Sequence, residues 1–211
     1  MSKKWLKVAL MATAIATGTS INIDAETVLY VPQDDLPVRL QYTVDTAREA
    51  GMTVLTPPQN LISGKTYQGQ ADQIMAWVEQ NAGRADVMVL STDTLIYGGL
   101  VDSRKHNIPL STLESRLKRI EGLKARHKNV RIYGFGTVMR SPRASGGGTE
   151  PAYYAEYGPT IFQIAALQDK LDSGSLTQEE TQKLMSLQAS VPVEYLQDWF
   201  DRRQKNMKIN K

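Results

Sequence analysis

Asp86-Val87-Met88-Val89-Leu90, followed at once by Ser91-Thr92-Asp93, is the stretch on which the fold turns. It is the most continuous short apolar run in the chain. Runs of this length without polar alternation are expected of strands buried on both faces, as in parallel sheets. Working outward, Thr27 to Val31 reads as an earlier strand, Met52 to Thr56 as a second, and Val130 to Val138 as a fourth. Helical patterns fall between them. Val38 to Ala50 ends at Gly51, a C′ glycine. Ala71 to Asn81 repeats Ile74, Trp77 and Val78 at helical spacing before Gly83. Ser111-Thr112-Leu113-Glu114 reads as a capping box ahead of Leu117, Ile120 and Leu123. This alternation predicts an α/β fold with a parallel sheet of about four strands and helical crossovers.

Beyond residue 150 only helical signals remain. Ile161 to Leu171, a helix opened by the box Thr177-Gln178-Glu179-Glu180, and a third beginning at Ser190-Val191-Pro192 form a helical segment, the first two joined at Ser173-Gly174-Ser175. The organisation is therefore a leader over 1–25, an α/β domain over 26–150 and a helical extension over 151–211. Because four strands cannot close an eight-stranded barrel, the alternative architecture is the first half of a larger β/α barrel.

The leader has Lys3, Lys4 and Lys7, then a short apolar run from Val8 to Gly18, then small and polar residues up to Asp24-Ala25. It reads as a secretory signal peptide cut after Ala25, too short to cross the roughly 30 Å bilayer core stably, so the expected location is periplasmic or extracellular, with no membrane span after cleavage. Without those residues the chain holds 22 basic and 21 acidic side chains, so the net charge drops from +3 to +1. That balance argues against a nucleic-acid partner, which needs a dense basic surface. No cysteine is present, which excludes disulfides, thiolate catalysis and thiolate-bound metal. With only His106 and His127 for imidazole ligands, zinc is not expected either.

Candidate chemistry gathers where strands end. The first runs through Pro32 into Asp34-Asp35-Leu36-Pro37, the third into Ser91-Thr92-Asp93, and the fourth into Met139-Arg140-Ser141 and the glycine-rich Ser145 to Thr149. A proline cannot continue the ladder, and in open α/β sheets ligands bind outside the carboxyl ends of the strands. Asp35 and Asp93 are the expected acid/base pair, with Asp34 beside them. In a metal-assisted version Asp34, Asp35 and Asp93 would supply hard oxygen ligands to Mg²⁺, Mn²⁺ or Ca²⁺. Tyr97-Gly98-Gly99-Leu100 reads as a loop in which paired glycines let backbone approach a ligand. Arg104 and Arg140 are expected as clamps for a carboxylate or phosphate. Arg203, Asn206 and Asn210 share one helical face and suit sugar hydroxyls or an anion.

Several of these segments together resemble a known family. Val31-Pro32-Gln33-Asp34-Asp35-Leu36-Pro37, the run from Ser91 to Arg104 with its Tyr-Gly-Gly-Leu core, Met139-Arg140, Glu150 to Tyr157 and Arg202 to Asn210 are similar to the bacterial family catalogued as domain of unknown function 4127. The resemblance spans the chain after the leader. It implies a longer protein with further α/β units, of which this chain is an amino-terminal fragment, and an Arg where this chain has Leu36. The family implies no activity. On the residues themselves, the expected function is an exported hydrolase acting on a glycoside or cell-wall-derived polar substrate. The alternative is a non-catalytic envelope protein that binds sugars or anionic small molecules.

Overall fold

A computed structural model describes residues 25–144 and 148–210. The leader expected over 1–25 lies almost wholly outside the described residues, as do Ser145, Gly146 and Gly147. The described chain forms strands β1 Thr27–Val31, β2 Thr53–Leu55, β3 Val87–Ser91 and β4 Arg131–Phe135, all parallel, in the order β2-β1-β3-β4. β1 lies between β2 and β3, so the direction of strand addition reverses at the β1/β3 boundary. This is an open sheet with a topological switch point. A barrel would add strands in sequence order, so the half-barrel alternative is corrected.

The helices are α1 Gln41–Glu49, α2 Ala71–Asn81, α3 Thr92–Tyr97, α4 Leu100–Lys105, α5 Leu110–Arg126, α6 Tyr154–Asp172, α7 Gln178–Ala189 and α8 Val193–Ile209. One sheet face packs Leu29, Val31, Met88 and Leu90 against Ile74, Met75 and Val78 of α2 and Leu123 of α5, all fully buried. The opposite face is only partly roofed. Val28, Tyr30, Val54, Val87 and Val89 floor a groove of about 340 Å³ walled by Thr43 and Ala47 of α1 and by Tyr133 of β4. β3 accordingly reads as a double-sided core strand only in part, since Val89 is half-buried.

Two local expectations need correction. α5 begins at Leu110 behind Pro109, whose carbonyl accepts from Thr112 and Leu113 N–H, so Ser111 lies inside the helix and forms no capping box. The segment after β3 is not a loop. Ser91 Oγ accepts from Thr94 N–H at 3.3 Å and starts α3 directly at the strand end, and α4 follows after Gly98-Gly99. The second capping box forms as expected: Thr177 Oγ1 accepts from Glu180 N–H while Glu180 accepts from Thr177 N–H.

α6 starts seven residues before the expected Ile161. The helix runs through Pro159, and Tyr154 in the turn ahead of it is buried and stacks on Trp199 at 4.2 Å. α6, α7 and α8 share a second core of Ile161, Ile164, Leu167, Leu184, Val191 and Trp199. The last turn of α8 then returns to the sheet domain, where Ile209 packs with Ile96, Tyr97 and Leu113. No helix among the described residues is long and apolar enough to cross a membrane.

Candidate functional site

The switch point puts the ends of β1 and β3 side by side, and their acids take different surroundings. Asp93, in the first turn of α3, is 1% exposed. Its Oδ2 accepts from Gln33 Nε2 at 2.9 Å and from Thr137 N–H and Oγ1 at 3.0 Å each. Burial raises its pKa, while the Thr137 and Gln33 hydrogen bonds and the Arg104 charge pull it down. Burial prevails, as expected of a carboxylate held by neutral donors in a dry setting.

Asp35 is half-buried and accepts from the Tyr67 hydroxyl, while its own N–H donates to the Ser63 carbonyl at 2.9 Å. Tyr67 is half exposed, and its bond to Asp35 raises the phenol pKa. Asp34 is buried and pairs with Arg39, with its Oδ1 accepting from Leu36 N–H at 3.1 Å. Each of the three acids thus has a separate set of partners. Among the described residues no group of three or more His, Asp or Glu side chains converges as metal ligands, so the expected Asp34, Asp35 and Asp93 ligand set is not assembled.

Arg104 sits 3.6 Å from Glu150 and acts on Asp93 through its charge, which brings the α4 guanidinium to the β3 end. The glycine pair serves a different purpose from the expected one. A Cβ on Gly99 would overlap Ser63 Oγ, and one on Gly98 (φ +108°) would meet the Gly69 carbonyl at 2.8 Å. Ser63 and Gly69 fill the space a ligand was expected to approach. Asp102, also buried, accepts from Gly69 N–H at 3.2 Å and has its pKa raised by burial.

The α8 face docks against this region. Asn206 is 3% exposed, with Nδ2 donating to the Ser103 carbonyl at 2.8 Å and Oδ1 lying 2.8 Å from His106 Nε2. His106 Nδ1 accepts from Ile108 N–H at 3.2 Å, so the proton resides on Nε2 and is donated to Asn206. Asn210 Oδ1 accepts from the Tyr97 hydroxyl at 3.3 Å, and the Tyr97 ring lies 4.9 Å from the His106 ring. Arg203 donates from Nη2 to the Arg140 carbonyl at 2.6 Å. Asp93, Tyr97, Arg104, Arg140, Arg203, Asn206 and Asn210 are therefore linked through α3, α4, the β4 exit and α8.

A comparison with protein families matches residues 28–211 to the family described as "protein of unknown function (DUF4127)". The chain belongs to the DUF4127 family. Searches of curated proteins and of solved structures find no match. In this DUF4127 chain the Pro-x-Asp-Asp-x-Pro and Tyr-Gly-Gly-Leu segments meet: Leu100 N–H donates to the Gln33 carbonyl at 3.2 Å, and Thr94 Oγ1 donates to the Pro32 carbonyl at 2.6 Å.

Several members of the site were missed in sequence. Tyr67 and Thr137 fell in no quoted motif, and Gln33, Asp102 and Glu150 lay inside quoted segments without being named as site residues. The available signal was position for Gln33, two residues past the end of β1, whereas Thr137 lay inside the expected fourth strand, which ends at Phe135 in the structure.

Proposed function

We propose that this DUF4127 protein is an exported hydrolase acting on a glycoside or cell-wall-derived polar substrate, with Asp93 as general acid and Asp35 as its partner carboxylate. The observation that supports this most is the contrast between the two acids across the switch point: Asp93 is buried with a raised pKa, and Asp35 is reachable from solvent. A carboxyl that keeps its proton can donate to a leaving group while an accessible one acts as base or nucleophile. Arg104 would orient the substrate at the same edge.

The test is turnover of a panel of chromogenic glycosides and peptidoglycan fragments by the intact chain. Asp35→Asn and Asp93→Asn are each expected to lower turnover by about a hundredfold or more, the scale of general acid/base loss. The anomeric form of the first product would report the carboxyl separation, retained near 5 Å and inverted at about 6.5–9.5 Å. Unchanged turnover in both variants would overturn the reading.

The hydroxyl of Tyr67 on Asp35 favours the second reading, a non-catalytic envelope binding protein, because it occupies the accessible acid. Saccharide binding without turnover, in both the parent and Tyr67→Phe, would select it.

A further inference from the structure

The direct contacts of the Arg203 guanidinium are a ring face and two backbone carbonyls. Its guanidinium carbon lies 3.1 Å from the Trp199 ring centroid, Nη1 donates to the Trp199 carbonyl at 3.3 Å, and Nη2 to that of Arg140. Its Nε is buried with no acceptor. The neighbouring arginines are neutralised: Arg202 pairs with Asp198, and Arg104 with Glu150. Among the described residues no carboxylate forms an ion pair with either Arg203 or Arg140.

Burial lowers the Arg203 pKa to about 9 and the Arg202 charge adds to it, against the opposing charges of Tyr154, Tyr153 and Glu150, so desolvation outweighs the negative charge nearby. Arg140, by contrast, is exposed, and its main chain is fixed by Arg203. The charges of both act on the Tyr154 hydroxyl, as does that of Glu150, so the two guanidinium groups share one locality at the β4 exit. Glu150, through Arg104, connects that locality to Asp93. A desolvated guanidinium with an unpaired N–H beside a second, exposed one is the geometry that receives an oxyanion, through charge-assisted and forked hydrogen bonds.

We propose that Arg140 and Arg203 form an oxyanion-binding subsite at the β4 exit, and that the ligand is an acidic saccharide whose charged group they take. The acidic-substrate assignment rests on the hydrolase reading above, whereas the subsite itself does not need turnover. A carboxylate or a phosphate on the sugar would satisfy the same donors.

The experiment is calorimetric titration of the full chain with D-glucuronate, glucose 6-phosphate and D-glucose. At least one acid is expected to bind about tenfold or more tightly than glucose, the scale of one charge-assisted hydrogen bond. Preference for glucuronate assigns the carboxylate and preference for the phosphate ester assigns phosphate. The advantage should shrink as NaCl rises from about 20 to about 200 mM. Arg140→Gln and Arg203→Gln should each erase it, bringing the affinity for the acid down to that for glucose. Arg140 is exposed, so its variant retains the fold even if Arg203→Gln loosens α8.

Equal affinity for acid and neutral sugars, an advantage that survives in Arg140→Gln, or no binding of any of the three would overturn the proposal. Arginine-dependent acid binding without glycoside turnover keeps the subsite and removes the hydrolase. Turnover lost in Asp93→Asn together with unchanged glucuronate affinity in Arg140→Gln does the reverse.

Discussion

Gln33 donates its side-chain amide to Asp93 at 2.9 Å, joining the residue that precedes the paired acids to the buried acid sixty positions later. The bond crosses the switch point, so the ends of β1 and β3 are tied by a side chain where the ladder between them has finished. It also explains why Asp93 tolerates burial at all: Gln33 and Thr137 supply three donors to one oxygen.

Asp93 should make stability depend on pH in a defined direction. Its folded pKa is raised, so the stability it contributes is fully present below the ordinary carboxylate range and is lost as pH rises through the raised value. In Asp93→Asn one amide oxygen can still accept from Gln33 and Thr137, and the titration disappears. Urea unfolding at about pH 4 and about pH 7 should show the parent gaining on the variant at the lower pH.

His106 acts in the opposite sense. Burial lowers its pKa, reinforced by Arg202 and Lys205 and opposed by the Asn206 bond and Asp198, with the Tyr97 ring against its face. A depressed imidazole contributes stability above its ordinary value of 6.5 that is lost as pH falls through the folded value. Compared with the parent, His106→Gln should lose less stability between about pH 7 and about pH 5 in urea unfolding.

Replacing Asn206 by Leu strands the His106 Nε2–H and the Ser103 carbonyl, both buried. The expected cost is about 2 to 6 kcal/mol, from two unsatisfied groups at about 1–3 each. Hydrogen exchange should report it first in α8, whose amides would open at lower free energy than those of α2.

Gly99→Ala tests the contact between the Tyr-Gly-Gly-Leu segment and the loop ahead of α2. The new methyl overlaps Ser63 Oγ, and the backbone there is extended, so strain in φ is not involved. A loss of about 1–3 kcal/mol is expected, with Ser63→Gly in the same chain recovering part of it. A strictly additive double variant in chemical denaturation would separate the two positions.

The elements with a clear period were legible. β1 and α2 fall on the residues their patterns mark, because an apolar run and a 3.6-residue repeat each leave a sign independent of tertiary context. α3 and α4 did not show, since six residues cannot display a repeat and the glycines between them look like a turn. The strand-end acids could be listed from sequence, but their different burial could not. Asp93 is dry because α3 starts immediately after β3 and Thr137 folds across it from β4, a consequence of strand order. Asn206 was expected to face a ligand on the terminal helix, and instead it bonds the Ser103 carbonyl and His106. A stripe of amides has the same spacing whether it faces solvent or a buried histidine.

The bond between His106 and Asn206 closes a loop of a hundred residues. Joining chain ends over that distance costs about 4 kcal/mol of entropy before any contact returns it. β1 pairs with β2 across 26 positions and with β3 across 59, both shorter closures, which predicts that the sheet forms before α8 docks. Stabilising substitutions in the α8 joint should then slow unfolding while leaving the folding rate nearly unchanged, whereas changes at Leu29 or Met88 should alter the folding rate itself. The side chains that bring Arg203 to the β4 exit are thus set at the last step of folding and released at the first step of unfolding.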